Sequence, residues 1–255
     1  MFIYWGTKSK VRDLGYVADF CFICRCPRPF VVQRVGMASH LYGISMGEGK
    51  LVGFNRTCVE CKSSFKADPA SYTKIATKVS PLQSLQAHTF PNLESIWRDR
   101  MALETRIQES LSGLTPEVRN KLIREPFLLL SPKVERLSQT MHIDKQVGFA
   151  VLAAIVVGVL VANVVPLFFP DDEAFGVLIG GVAGVAWVIW NLATSSTRKV
   201  RREVAPVVAT SLKPLEPTAA ELNAVLSELR GQGRKIGSRL KAEDVDPKAR
   251  TLVVA

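Results

Sequence analysis

Five cysteines stand in two tight clusters, three in "CFICRC" at 21–26 and two in "CVEC" at 58–61. Thiols so close together serve as metal ligands, as a redox dithiol or as a disulfide framework, and the compartment weighs among the three. The pattern Cys21-x2-Cys24 and Cys58-x2-Cys61 makes two turns, each presenting two thiolates from one short loop. Tetrahedral zinc takes four soft ligands, so a pair of such turns is a zinc-ribbon signature. Cys26 is then the surplus thiol, because a tetrahedral ion has no room for a fifth sulfur. His40 falls on an expected strand away from both turns and reads as a surface or packing residue. A redox dithiol would want one CxxC at a helix start beside a βαβ pattern, which is absent around these cysteines.

The chain between the two turns must leave the metal and return to it. "RPFVVQRVGM" and "SHLYGISM" are rich in β-branched and aromatic residues, "GEGK" supplies glycines for a turn, and "KLVGFNRT" leads back to Cys58. This predicts a small antiparallel sheet of about three strands with both turns at one end. A domain of that size buries little apolar surface, so a bound metal would contribute folding free energy directly.

"FIYWGTKSKVRDLGYVADFCFIC", followed by a β excursion and a second CxxC, resembles the zinc-ribbon domains at the N-termini of small bacterial proteins, some of them membrane-attached. The resemblance covers about the first quarter of the chain, residues 1–66. It implies a structural Zn2+ held by Cys21, Cys24, Cys58 and Cys61. A common form of the turn in these domains is CPxCG; here Phe22 replaces the proline and Arg25 the glycine.

Further elements follow from hydropathy. The chain has 255 residues, a mean hydropathy of +0.15 and 22% charged residues, which together imply that apolar and charged segments are segregated. Residues 147–169 and 174–194 are uncharged, each long enough to cross an apolar layer of about 30 Å as a helix. Only "PDDE" separates them, so they read as a transmembrane hairpin. Lys133, Arg136 and Lys145 precede the first run and Arg198, Lys199, Arg201, Arg202 and Lys213 follow the second, while the turn carries only Asp171, Asp172 and Glu173. Cationic flanks stay inside, so both termini are expected in the cytoplasm. "MFIYW" is too short for a signal-peptide apolar region, which agrees. Small residues recur every fourth position: Ala150, Ala154, Gly158 and Ala162 in the first run, Gly176, Gly180 and Gly184 in the second. The glycine face would close the hairpin or join a second copy as a homo-oligomer. Asn163 and Asn191 are the strongly polar groups of the two runs, and neither run holds an acid or base for an ion path.

The expected architecture is thus a multi-domain membrane protein. A β zinc ribbon (1–66) precedes an α-helical cytoplasmic region (67–146), a two-helix transmembrane hairpin (147–194) and an α-helical cytoplasmic tail (195–255). In the middle region, Asp68 and Ser80 are candidate N-caps, Pro81 fits a first helical turn, and Thr115-Pro116-Glu117 marks a further helix start. "PNLESIWRDRMALETRIQESLSG" has apolar residues at helical spacing and predicts one long helix, more simply a packing stripe than a partner-binding one. "FLLL" at 127–130 could touch a membrane interface. In the tail, Thr218 and Glu221 form a capping box ahead of Leu222, Val225, Leu226 and Leu229, predicting an amphipathic helix over about 218–230.

Catalytic signatures are missing. "GISMGEGK" lacks the spacing of a phosphate loop and precedes a strand, and the three histidines form no HExxH or triad. A four-thiolate zinc has no open position for water. The expectation is a non-enzymatic inner-membrane protein, anchored in the lipid bilayer, whose zinc ribbon binds a cytoplasmic or membrane protein partner as a scaffold. A membrane-tethered nucleic-acid binder is the alternative, motivated by the net +6 of residues 1–66 and by Tyr4, Trp5 and Tyr16 beside cations. A thiol enzyme using Cys26 as nucleophile is the third class.

Overall fold

The structure, a computed structural model, describes residues 5–41, 44–45, 47–110, 113–139, 144–168 and 173–246, with side chains excepted at 5, 41, 44–45, 162, 165–168 and 173–180. The chain divides into two compact units, Met1–Arg119 with Thr210–Leu215 and Asn120–Ala209 with Glu216–Ala255.

The first unit is built on an antiparallel sheet. Strand β1 (Trp5–Cys21) turns back through the first CxxC into β2 (Cys26–Leu41), and the two pair from Trp5↔Leu41 to Cys21↔Cys26. The short β3 (Ile44–Ser45) pairs with the far end of β2. Strand β4 (Lys50–Cys58) returns along β2 to the second CxxC, which turns the chain into β5 (Ser64–Ala67). The strand order is β1-β2-β4-β5 with β3 off this path beside β2, five strands where about three were expected.

One irregularity in β1 has a chemical cause. The register shifts between Asp13 and Gly15, and Gly15 has φ +145. There the strand meets an outlying segment, with Tyr16 N–H donating to Ala76 O (2.7 Å) and Ala76 N–H to Tyr16 O (2.9 Å). A Cβ on residue 15 would lie 2.3 Å from Ala76 O, a backbone atom that cannot swing away. Gly15→Ala is therefore expected to cost about 2–3 kcal/mol, combining the φ penalty with displacement of that segment. A denaturant midpoint of the full chain unchanged from wild type would contradict this reading.

Helices cover the sheet within the same unit. Asp68 caps a single 3-10 turn, Pro69–Ser71, by accepting from Ala70 N–H. Helix α1 (Leu82–Thr89) starts with Pro81 at its cap, and Ser80 makes no cap. The long helix expected after Pro91 is broken at Trp97 into α2 (Leu93–Ile96) and α3 (Arg98–Glu109). The break lets the Trp97 indole N–H reach Asp19 Oδ1 at 3.1 Å. Leu85 and Leu93 join Val17, Phe20, Ile23, Phe30 and Val32 in the core, whereas Ile96, on the expected stripe, is 57% exposed.

The second unit is helical. Helix α4 (Pro116–Gln139) buries Leu122, Ile123, Phe127, Leu130 and Val134, so two residues of "FLLL" are protein core. Helices α5 (Lys145–Phe168) and α6 (Glu173–Glu203) follow, then α7 (Ala205–Leu212), of which Thr210–Leu212 belong to the first unit, α8 (Ala219–Gly231), α9 (Lys235–Arg239) and α10 (Ala242–Val245). Thr218 and Glu221 close a capping box on α8, whose Leu222, Val225, Leu226 and Leu229 are buried.

The transmembrane hairpin is not supported. Among the described residues no helix is long and apolar enough to cross a membrane. With it fall the multi-pass inner-membrane placement, the lipid-bilayer anchor and the orientation inferred from the flanks. The physical reason lies where the apolar runs meet the rest of the unit. Helix α6 does not stop at Thr194 but continues through nine more residues to Glu203, burying Ser195, Ser196 and Val200. Three of the cations after Thr194, read as a membrane-flanking signal, make ion pairs: Arg198, Lys199 and Arg201. Arg198 binds Asp144 through Nε and Nη2 (3.0 and 3.1 Å), and Arg201 reaches Asp244 (3.0 Å). The Arg198 guanidinium holds the Asp144 carboxyl down at about 2.

The two runs instead form an antiparallel helix pair. Gly184 faces Ala154, where a Cβ would sit 3.3 Å from the alanine methyl, and Asp144 meets Arg198 at the other end. An apolar cavity of about 380 Å3 lies between Val151, Ala154 and Gly158 on one helix and Gly181, Gly184 and Val188 on the other. Asn163 and Asn191 each donate to the carbonyl four residues earlier in their own helix, Val159 and Trp187. The outer sides are apolar and open, with Phe149 at 73% and Trp190 at 70% exposure. Asp171 and Asp172 lie outside the described residues, and Gly176 and Gly180 are described by their backbone alone.

Candidate metal centre

Both CxxC turns are hairpin turns at one end of the same sheet. Cys21 is the last residue of β1 and Cys58 the last of β4, and β2 holds them in register by pairing Phe30 with Cys58. Val59 N–H donates to Pro29 O (3.0 Å), tying the second turn to the base of the first hairpin. The sulfurs of Cys21, Cys24, Cys58 and Cys61 consequently lie within 4.8 Å of one another.

The distances suit a tetrahedral ion and no disulfide. Cys21 Sγ is 3.6 Å from Cys61 Sγ, and Cys24 Sγ is 3.9 Å from Cys58 Sγ. Zinc–sulfur bonds of about 2.3 Å in tetrahedral geometry put sulfurs about 3.8 Å apart, whereas a disulfide needs about 2.05 Å. All five cysteines are free thiols, with Cys21 and Cys58 buried. Four soft donors, closely spaced and two of them buried, are the donor set a Zn2+ ion takes.

Electrostatics divides the four. Hydrogen bonding with Cys21 and Cys24 lowers both Cys58 and Cys61; Cys58 falls to about 7. Cys21 is pushed up by hydrogen bonds with Cys24, Cys58 and Cys61 and by burial. Cys24 is drawn down by Cys21, but Cys58, Cys61 and burial together raise it. Packing four thiols so tightly leaves too few acceptors for their protons. A divalent cation replacing those protons relieves the conflict.

Cys26, the fifth thiol, opens β2 opposite Cys21 and is outside this group of four. Burial pushes its thiol up. His40, on β2, pairs across the sheet with Gly6 far from the turns.

Each turn ends on a residue with left-handed backbone: Arg25 at φ 60 and Lys62 at φ 56. Their N–H groups donate to the carbonyl of the first cysteine, Arg25 to Cys21 O (2.7 Å) and Lys62 to Cys58 O (3.1 Å). In the CPxCG form this is the glycine position. The substitution of Arg25 for glycine keeps the glycine's geometry. Lys62 is exposed, and Lys62→Gly is expected to stabilise the chain by about 0.5–1 kcal/mol by removing a strained Cβ. The zinc-saturated denaturation midpoint checks this; a lower midpoint would show that the lysine side chain itself contributes.

Two buried ionic groups support the turns, and neither was expected from sequence. Asp19, two residues before Cys21 and 1% exposed, ion-pairs with Arg56 on β4 and accepts from Tyr72 Oη (2.7 Å), Trp97 Nε1 and Phe20 N–H (2.7 Å). Arg25 and Glu104, 5% exposed each, form a pair at 2.6 Å. The one sequence signal was negative: charged residues in segments whose neighbours are apolar.

No family model matches the chain, and comparison with curated proteins and with solved structures finds no similar one. The four-cysteine cluster in a small antiparallel β region fits a zinc-ribbon-like motif.

Proposed function

We propose that the chain is a non-enzymatic zinc-binding module whose ribbon serves as a protein-interaction or scaffold element. The observation that carries the reading is the closed donor set, four sulfurs within 4.8 Å. Zinc so held has every coordination position filled by protein, which suits a structural role and leaves none for an activated water. The two turns and the strands that carry them then form one metal-crosslinked platform.

The cations of the ribbon are divided between ion pairs inside the unit and its surface. Of its cations, Arg25 and Arg56 are consumed by buried Glu104 and Asp19, and Arg12 pairs with Glu48. Arg34 donates to Glu48 O and Gly49 O. Arg28 is pulled down by burial, yet the Cys26 and Cys24 thiols and Glu60 outweigh this and hold it above its ordinary range. Asp19 and Glu48 are already counted in the net +6 of residues 1–66, so of these pairs only Arg25–Glu104 reduces it, and Lys8, Lys10, Lys50, Lys62 and Lys66 are exposed.

The test is metal analysis of the purified full chain, followed by cobalt replacement. One zinc per chain, and a cobalt form with the visible bands of tetrahedral thiolate coordination, are expected. A cobalt spectrum of five or six ligands, or exchangeable water at the metal, would overturn the closed site and reopen a catalytic reading. Salt-dependent binding of RNA or DNA by the zinc form would overturn the preference for a protein partner.

A further inference from the structure

We propose that Arg25 couples metal occupancy of the four-cysteine cluster to the seating of helix α3 and of residues 210–215. The proposal rests on the zinc reading above and adds a regulatory consequence to it.

Arg25 belongs to two structures at once. Its backbone completes the first turn, with φ 60 and its N–H bonded to Cys21 O, immediately after Cys24. Its side chain leaves the turn and is buried. There Nε donates to Glu104 Oε2 at 2.6 Å and Nη1 to Ser211 O at 3.3 Å. Glu104 lies in the middle of α3, and Ser211 is 1% exposed within the returning segment. The partners are separated from Arg25 by 79 and 186 residues, so one side chain joins three distant parts of the chain.

A second arm runs parallel to the first. Arg100 on α3 donates to Glu104 Oε1 at 2.8 Å, and its guanidinium lies over Phe22 (5.5 Å) and Phe20 (5.9 Å). Phe22 is inside the CxxC turn. Glu104 is thus held between two guanidiniums, and both arms end on the residues that frame Cys21 and Cys24.

The coupling follows from what each end requires. A non-glycine residue adopts a left-handed backbone only when its surroundings hold it there. With metal bound, Cys21 and Cys24 are fixed and the turn between them is closed. Without it, four close thiols have no common partner, the turn is free to relax, and Arg25 can leave the left-handed region. Its guanidinium then withdraws from Glu104, which leaves a buried carboxylate with one cation in place of two. Metal therefore favours the seated α3, and by linkage the seated α3 raises metal affinity by the same factor.

Hydrogen exchange on the full chain, with zinc content measured on each sample, tests this using wild type, Arg25→Gly and Glu104→Gln. Glycine accepts the turn's backbone without strain but carries no guanidinium, so it separates turn geometry from the ion pair. Chelating zinc from wild type is expected to speed exchange across the first unit, in 98–109 and 210–215 by at least about 10-fold, so the specific coupling is read from the zinc-loaded variants. Zinc-loaded Arg25→Gly is expected to keep one zinc and wild-type protection of β1 and β2, yet exchange fast in those two segments. Glu104→Gln is expected to weaken zinc about 10-fold in chelator competition, though it is no ligand. Zinc-loaded Arg25→Gly that protects 98–109 as wild type does would overturn the coupling, as would unchanged zinc affinity in Glu104→Gln. One zinc in wild type with exchange unmoved by its removal overturns the coupling alone, whereas a wild type that takes up no zinc overturns the metal reading as well.

Discussion

Replacing Cys21, Cys24, Cys58 or Cys61 with serine is expected to release the metal and unfold the sheet of the first unit. A hydroxyl is a harder donor than a thiolate and stays protonated at neutral pH, so three sulfurs and a serine hold zinc poorly. Structural zinc in small domains contributes about 10–16 kcal/mol in apparent binding free energy, comparable with the whole stability of an ordinary domain, about 5–15 kcal/mol. The loss should be largest at Cys21 and Cys58, which are fully buried and end strands, so a misplaced side chain there also disturbs β1 and β4. Cys26→Ser is expected to leave zinc stoichiometry unchanged and stability within about 1 kcal/mol, since its sulfur is outside the cluster. Zinc content beside thermal unfolding of each purified variant decides the matter. Loss of metal on changing Cys26, with retention on changing Cys24, would mean that the wrong fifth thiol has been set aside.

What the sequence makes legible here is chemistry set by local spacing. Two CxxC turns separated by β-rich chain imply convergence on one ion, because each turn supplies half a tetrahedron and strands bring chain ends back together. What local spacing cannot carry is the identity of distant partners. Arg25 reads as a departure from the CPxCG form until its φ of 60 shows it in the glycine's conformation with its side chain paired to Glu104. Trp97 reads as part of an amphipathic stripe until its indole is seen to bond Asp19, 78 residues away, at a break between helices.

The apolar runs teach the converse lesson. Their hydropathy is real: Phe149, Leu152, Trp187 and Trp190 are more than half exposed on the helix pair. Hydropathy, however, reports composition and not where a helix ends. Helix α6 carries its apolar run without a break into Ser195, Ser196 and Val200, which pack inside the second unit. The flanking cations had looked like an orientation signal only because Asp144, 54 residues from Arg198 in sequence, and Asp244 could not be placed beside them. Gly184, on the face expected to close the hairpin or to join a second copy, lies against Ala154 of the same chain.

Asp19→Ala is expected to cost about 3–5 kcal/mol, the range for removing one partner of a buried ion pair. Asp19 is 1% exposed, and its two oxygens serve four groups from three parts of the first unit: Phe20 N–H, Trp97, Tyr72 and Arg56. Truncation strands the Arg56 guanidinium, whose side chain is 14% exposed and which burial already pulls below its ordinary range. It also strands the Tyr72 hydroxyl and the Trp97 indole, each a further desolvated donor. Asp19→Asn separates these terms. An amide oxygen can still accept from Phe20 and Trp97, but the NH2 group faces Arg56, so the loss should be smaller than for alanine yet well above 1 kcal/mol. Adding Arg56→Met to Asp19→Asn removes the stranded cation and should recover part of the stability, a coupling of about 1–3 kcal/mol in a double-mutant cycle. Zinc-saturated denaturation of the full chain measures all four corners, so the metal contributes equally to each. Additivity of the two changes within about 0.5 kcal/mol would show that Arg56 finds another partner when Asp19 is lost, and that the carboxylate is not the link between sheet and helices.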